Sequence, residues 1–184
     1  MRILAVCAVI AVTFILAGCG QQKESSNTMP HAIKRAHKST PSFAPDTGTQ
    51  KDAETNSLQA CAFVSEHFGI KLDWSDASIQ QIESVLAAFH ADVASAKPSR
   101  KQVWWYSKLF GSYIGEVYRK NHGATWGIVQ TNGYNMPALK ADLNGEVFLP
   151  MARTRDRIVD GAENNVWQYY SQLPKKPDAP QAPH

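Results

Sequence analysis

The side chains with chemistry to offer are few and scattered. Cys19 follows two small residues, Ala17 and Gly18, at the end of an apolar run, and its thiol is a nucleophile open to alkylation. Arg153, Arg155 and Arg157 alternate along one short segment. Three guanidinium forks that close suit a phosphate, a carboxylate or an acidic partner. They suit equally an exposed surface that pairs with Asp156 and Asp160. Trp104-Trp105-Tyr106 joins residue types that often dominate interfaces. Glu116 is a carboxylate at the rim of an apolar helical face. It could act as a general base or binding group. The plainer reading is a solvated ion pair with Lys120, four residues on and in the favourable order. His90 and Cys61 stand by themselves. No second His lies four residues from His90, as a helical two-His metal site requires. No cation lies close to Cys61 in sequence to lower its thiol pKa, so a buried, inert cysteine is expected.

These residues make no catalytic set. The sequence holds no G-x-S-x-G elbow, no H-E-x-x-H, no Walker-type phosphate loop and no paired-cysteine zinc site. No catalytic residue, metal ligand or cofactor is assigned, and an enzyme is the less favoured class. The formal charge of +3 is too mild to indicate nucleic acid, which calls for a clustered basic face.

The first residues supply an address. Arg2 and the apolar run Ile3–Leu16 have the n-region and h-region of a secretory signal. The run is shorter than the ~20 residues of a spanning helix. Leu16-Ala17-Gly18-Cys19 resembles the lipobox of bacterial lipoproteins. The resemblance implies that residues 1–18 are cleaved, that the Cys19 thiol carries a diacylglyceryl group and that the new amino terminus is acylated. Gly20, where Asp would signal retention, resembles the sorting pattern for the outer membrane. One acyl chain holds reversibly, at about 0.8 kcal/mol per buried CH₂, whereas two or three hold permanently. The expected partners are therefore membrane lipid, through Cys19, and a protein of the envelope.

Steps along the chain then set the elements. Residues 19–54 read as the acylated Cys and a disordered spacer rich in Ser, Thr, Pro, Gln and Lys, with Phe43 as its aromatic residue. Such a chain reaches roughly 30–35 Å. It includes a small basic cluster, His31, Lys34, Arg35, His37 and Lys38. An α+β domain is expected over 55–173, with helices packed on a three-stranded antiparallel meander. Apolar spacing predicts helices over Thr55–Phe68, from Ser75 or Asp76 to Val93, and over Arg100–His122. Asn132-Gly133 and Asn144-Gly145 are hairpin turn signals between strands at Thr125–Gln130, Met136–Ala141 and Glu146–Leu149. Helices over Met151–Val159 and Ala162–Leu173 follow, then a proline-rich, disordered tail over 174–184. With Cys7 removed and Cys19 acylated, only Cys61 remains, so no intramolecular disulfide can form.

Gly111 and Gly115 lie four apart inside the third helix, at a cost of ~1 kcal/mol each relative to alanine. The simplest compensation is close approach of another backbone, with Trp104 and Tyr118 as walls. A ligand in that groove is the rival account.

The run Gly111-Ser112-Tyr113-Ile114-Gly115-Glu116-Val117, with Gly123 and Trp126, resembles a small bacterial α+β domain family of unknown function. Asn144-Gly145, Pro150, Arg157, Gly161, Val166 and Tyr169-Tyr170 follow the same pattern loosely. The resemblance implies one compact domain over 75–173, and it supplies no catalytic residue to carry over and leaves function unassigned. The leading expectation is an outer-membrane-anchored periplasmic lipoprotein that acts as a binding or scaffolding module. Its expected contact surfaces are Trp104-Trp105-Tyr106, with Trp105 as the exposed anchor, and the Arg153–Arg157 face. The alternatives are a periplasmic immunity or inhibitor protein directed at a secreted toxin, and an envelope hydrolase using Glu116 or His90.

Overall fold

The computed structural model describes residues 42–131 and 134–177. Cys19, the signal, the basic cluster and the Asn132-Gly133 turn lie outside the described residues. The elements in order are β1 (Ser42–Pro45), α1 (Thr47–Phe68), α2 (Ser78–Ala96), α3 (Arg100–His122), β2 (Ala124–Thr131), β3 (Tyr134–Ala141), β4 (Val147–Phe148), α4 (Pro150–Val159), a 3-10 turn (Ala162–Asn164) and α5 (Val166–Gln172). The α+β class holds. The sheet is antiparallel in the order β1-β2-β3-β4, so among the described residues it has four strands where three were expected.

The extra strand and the first two turns of α1 fall in the stretch expected to be spacer. Residues 42–54 carry little apolar patterning, and their order comes from partners elsewhere. β1 pairs with β2, Ser42 opposite Gln130 and Pro45 opposite Gly127. Gly127 makes room for it: a Cβ there would strike the Ala44 carbonyl oxygen and lie 2.6 Å from Phe43 Cζ. Asp46 then caps α1 by accepting from Thr49 N at 2.7 Å. The tail boundary also moves. The Tyr118 hydroxyl donates to the Pro174 carbonyl, and Lys175 Nζ reaches Asp76 Oδ2 at 3.0 Å. The residues just after α5 are therefore tied to the domain. The expected last helix is split, because Asn165 leaves helical geometry and caps α5.

α3 is the centre of the molecule. It starts at a capping box formed by Ser99 and Gln102 and ends at Gly123, which has φ +84°. Every residue from Gly111 to Tyr118 is buried, so here the helix is covered all round and not along one stripe. α1 and α4 flank it, and the sheet presents Trp126, Leu139 and Phe148 to the same core.

The two glycines are packing devices. A Cβ on Gly111 would lie 2.5 Å from Met151 Cα, so the start of α4 passes directly over it. A Cβ on Gly115 would enter the indole ring of Trp126. The expected backbone approach thus occurs at Gly111, while Gly115 is covered by a side chain. Both positions are filled by protein, which leaves no room there for a ligand.

Candidate functional site

The sequence singled out a carboxylate, an arginine trio and an aromatic pair, and the fold sends them to different places. Glu116 has no exposed surface. Its Oε1 accepts from Trp126 Nε1 at 2.7 Å and from Arg119 Nε at 2.9 Å, and its Oε2 accepts from Arg119 Nη2 at 2.8 Å. The expected solvated pair with Lys120 does not form. Three residues, not four, separate Glu116 from its cation, because the neighbouring position on the helix turns Arg119 inward beneath α1, where it also meets Glu54 at 3.2 Å. Lys120 lies instead over the Trp74 ring, 3.5 Å from its centroid. The hydrogen bonds that Arg119 donates to Glu116 raise the Arg119 pKa. With its oxygens engaged by α3 and β2 and no surface exposed, the Glu116 carboxylate ties the central helix to the sheet.

The arginines disperse. Arg157 was expected at the surface, but it is buried, and its Nε donates to Glu83 Oε1 at 2.7 Å. Glu83 Oε2 also accepts the backbone N–H of Val166 at 2.8 Å, so one carboxylate ties α2, α4 and the start of α5 together. Arg153 donates to Asn164 Oδ1 at 3.0 Å and lies over the Tyr169 ring. Arg155 is exposed and pairs with Asp156 at 2.7 Å. Arg153 and Arg157 share one side of the helix and Arg155 points elsewhere, and each of the three is engaged by a different partner, Asn164, Glu83 and Asp156 respectively for Arg153, Arg157 and Arg155.

The aromatic pair also separates, since adjacent helical residues diverge by about 100°. Trp105 leans on the ring cluster of Phe63 and Tyr106, its centroid 6.1 Å from Phe63 and 4.9 Å from Tyr106. Trp104 faces the other way. Both are 39% exposed, so Trp105 is at the surface as expected and Trp104 is equally so. Trp104 is the wall of an open groove of about 440 Å³ between the α2–α3 corner and α4. Val93, Pro98, Val103 and Val159 line this groove with Trp104, as do Arg100 and Arg155, both exposed. Trp104 and Arg155, each singled out separately from sequence, are therefore brought to one concave surface.

His90 and Cys61 take structural roles. His90 Nδ1 lies 2.9 Å from the Ile158 carbonyl near the end of α4. Cys61 is partly buried, and that burial pushes its thiol pKa up, away from nucleophilic chemistry.

One cluster escaped the sequence reading. Asp76, expected only as a helix cap, receives Tyr170 Oη at 2.6 Å, Asn121 Nδ2 at 2.9 Å, His122 Nε2 at 2.9 Å and Lys175 Nζ at 3.0 Å. Burial opposes the charge on Asp76, but these hydrogen bonds overcome it and hold the carboxyl well below the usual range. The same contact, after burial, pushes the Tyr170 hydroxyl up. A carboxylate only accepts, so the His122 proton facing Asp76 is on Nε2. His122 Nδ1 is buried without a hydrogen-bond partner. The cluster joins the start of α2, the end of α3 and the chain after α5, which makes it a clasp. Only spacing across the whole chain would have revealed it: Asp76 and Tyr170 are 94 residues apart.

Among the described residues no group of His, Cys, Asp and Glu could hold a metal ion, and no helix is long and apolar enough to cross a membrane.

The fold defines an α+β domain of a kind found in bacteria. A crystallised protein of Bacteroides thetaiotaomicron VPI-5482 superposes with a TM-score of 0.54 at 15% identity, over 77% of this chain and 50% of that one. The likeness concerns the fold alone, and this chain spans half the length of that protein. No family model and no curated protein matches the sequence. The motif run from Gly111 to Trp126 has a physical basis of its own, since Gly115, Glu116 and Trp126 form one packing unit.

Proposed function

We propose that the protein is a lipid-anchored module of the bacterial cell envelope that binds a partner without chemistry, held at the outer membrane through Cys19. The observation that carries the binding role is the groove beside Trp104. It gathers an exposed indole, an apolar lining and two guanidinium groups from α2, α3 and α4. Buried aromatic and arginine anchors are what such interfaces spend their affinity on. The anchor rests on Leu16-Ala17-Gly18-Cys19.

Mass spectrometry of the native protein tests the anchor. The expected mass starts at Cys19 and includes acyl chains. A chain that keeps residues 1–18, or that starts at an unmodified Cys19, removes the anchor from this reading. Photo-crosslinking in intact cells tests the binding role. A crosslinker placed at Trp104 should capture an envelope component, and one placed at exposed Leu58 should not capture the same component.

A further inference from the structure

The groove is the wall of a larger charge asymmetry. Between Asp92 and Glu116 the chain has no carboxylate, yet it carries Lys97, Arg100, Lys101 and Lys108. None of the four takes part in a salt bridge among the described residues. Arg155 adds a further cation from α4. Its one partner, Asp156, lies at the surface, where such pairs contribute little and exchange readily. The α2–α3 corner is therefore electropositive beside an apolar hollow.

The lining narrows the class of ligand. Its side chains are apolar apart from the two guanidinium groups. It offers none of the hydroxyl, amide or carboxylate side chains that the many hydroxyls of a sugar ring would need. A flat bilayer surface fits poorly too, because Trp104 lines a concavity and Trp105 points away from it. An apolar side chain entering the hollow, with carboxylates on both sides meeting Arg100 and Arg155, satisfies every group present. We infer that the groove of Trp104, Arg100 and Arg155 receives an acidic polypeptide segment with an apolar side chain at its centre. This inference rests on the binding-module reading and names the partner's chemistry.

The test is fluorescence anisotropy with the full-length chain in detergent at physiological salt. The probe is a fluorescein-labelled peptide with one leucine flanked on both sides by glutamates. Binding is expected, and it should be lost when serine replaces the leucine or glutamines replace the glutamates. Trp104→Ala, and Arg100→Glu combined with Arg155→Glu, should each weaken binding about tenfold or more. Lys108→Glu, outside the lining, should change it less than about threefold. Trp104, Arg100 and Arg155 are exposed, and unchanged thermal melting confirms that the variants fold. Binding that ignores the leucine or Trp104 would overturn the inference in favour of general charge attraction. So would failure of the wild type to bind the peptide. A third overturning result is sedimentation with anionic vesicles that the double arginine variant abolishes, since the surface would then dock on lipid. Any of these would leave the binding-module reading standing if the crosslinker at Trp104 still captured an envelope component.

Discussion

Trp126 Nε1 donates a 2.7 Å hydrogen bond to Glu116 Oε1 in a site where neither side chain meets solvent to any extent. The indole that makes this bond also fills the space above Gly115. One ring from β2 therefore satisfies a buried carboxylate and covers the glycine beside it, which locks the sheet to the central helix.

Removing the charge at Glu116 should be costly. Glu116→Gln keeps the shape but faces an amide toward Arg119. The expected loss is about 2 kcal/mol, the scale of hydrogen bonds to a charged group. Urea unfolding measures it, and a midpoint equal to that of the wild type would mean that the charge is idle.

Gly115→Ala should destabilise although alanine is the better helix former by about 1 kcal/mol. The added methyl enters the Trp126 ring, and overpacking of this kind costs about 1–3 kcal/mol. Differential scanning calorimetry should show a lower Tm for Gly115→Ala and also for Gly111→Ala, where the obstacle is Met151 backbone. A raised Tm in either variant would mean that the glycines are not needed for close approach.

The pair between Glu83 and Arg157 should be asymmetric. Glu83→Ala strands a buried guanidinium and the N–H of Val166 together, with an expected cost of about 3–5 kcal/mol. Arg157→Met removes the cation and leaves Glu83 its bond to Val166, so it should cost less. Chemical denaturation of the two variants gives the order, and the reverse order would refute the role of Glu83 as the shared tie.

Asp76 makes stability depend on pH. Its folded pKa is depressed from 3.8, so its contribution is complete above that value and is lost as pH falls below it toward the folded value. The carboxyl is partly exposed, so the effect is discounted to about 1 kcal/mol. Asp76→Asn should be less stable than the wild type at neutral pH, and the difference should shrink in acid. A gap in urea midpoint that stays constant from neutral pH to well below pH 4 would remove the clasp's electrostatic part.

Much of the helical framework was legible because amphipathic spacing is local. Arg100–His122 has the same limits in the sequence reading and in the fold, and Gly111 and Gly115 announced a close approach through their cost in a helix. Asn144-Gly145 marked a real turn: Gly145 has φ +74°, and the Asn144 side chain accepts from Glu146 N at 3.0 Å. The site was less legible. Trp104 and Arg155 were both marked, but their meeting at one groove was not, because α2 and α4 come together only when packed on α3.

The sequence alone settled the limits of the central helix, that a meander follows it and that Cys19 stands in a lipobox-like tetrad, since each depends on residues a few positions apart. Tertiary structure decided that residues 42–54 are ordered, that Glu116 is buried with Arg119 and Trp126, that Arg157 faces inward and that Asp76 is a clasp. The physical reason is common to all four: burial and choice of partner are imposed by elements that approach from far along the chain, and no local pattern carries that information.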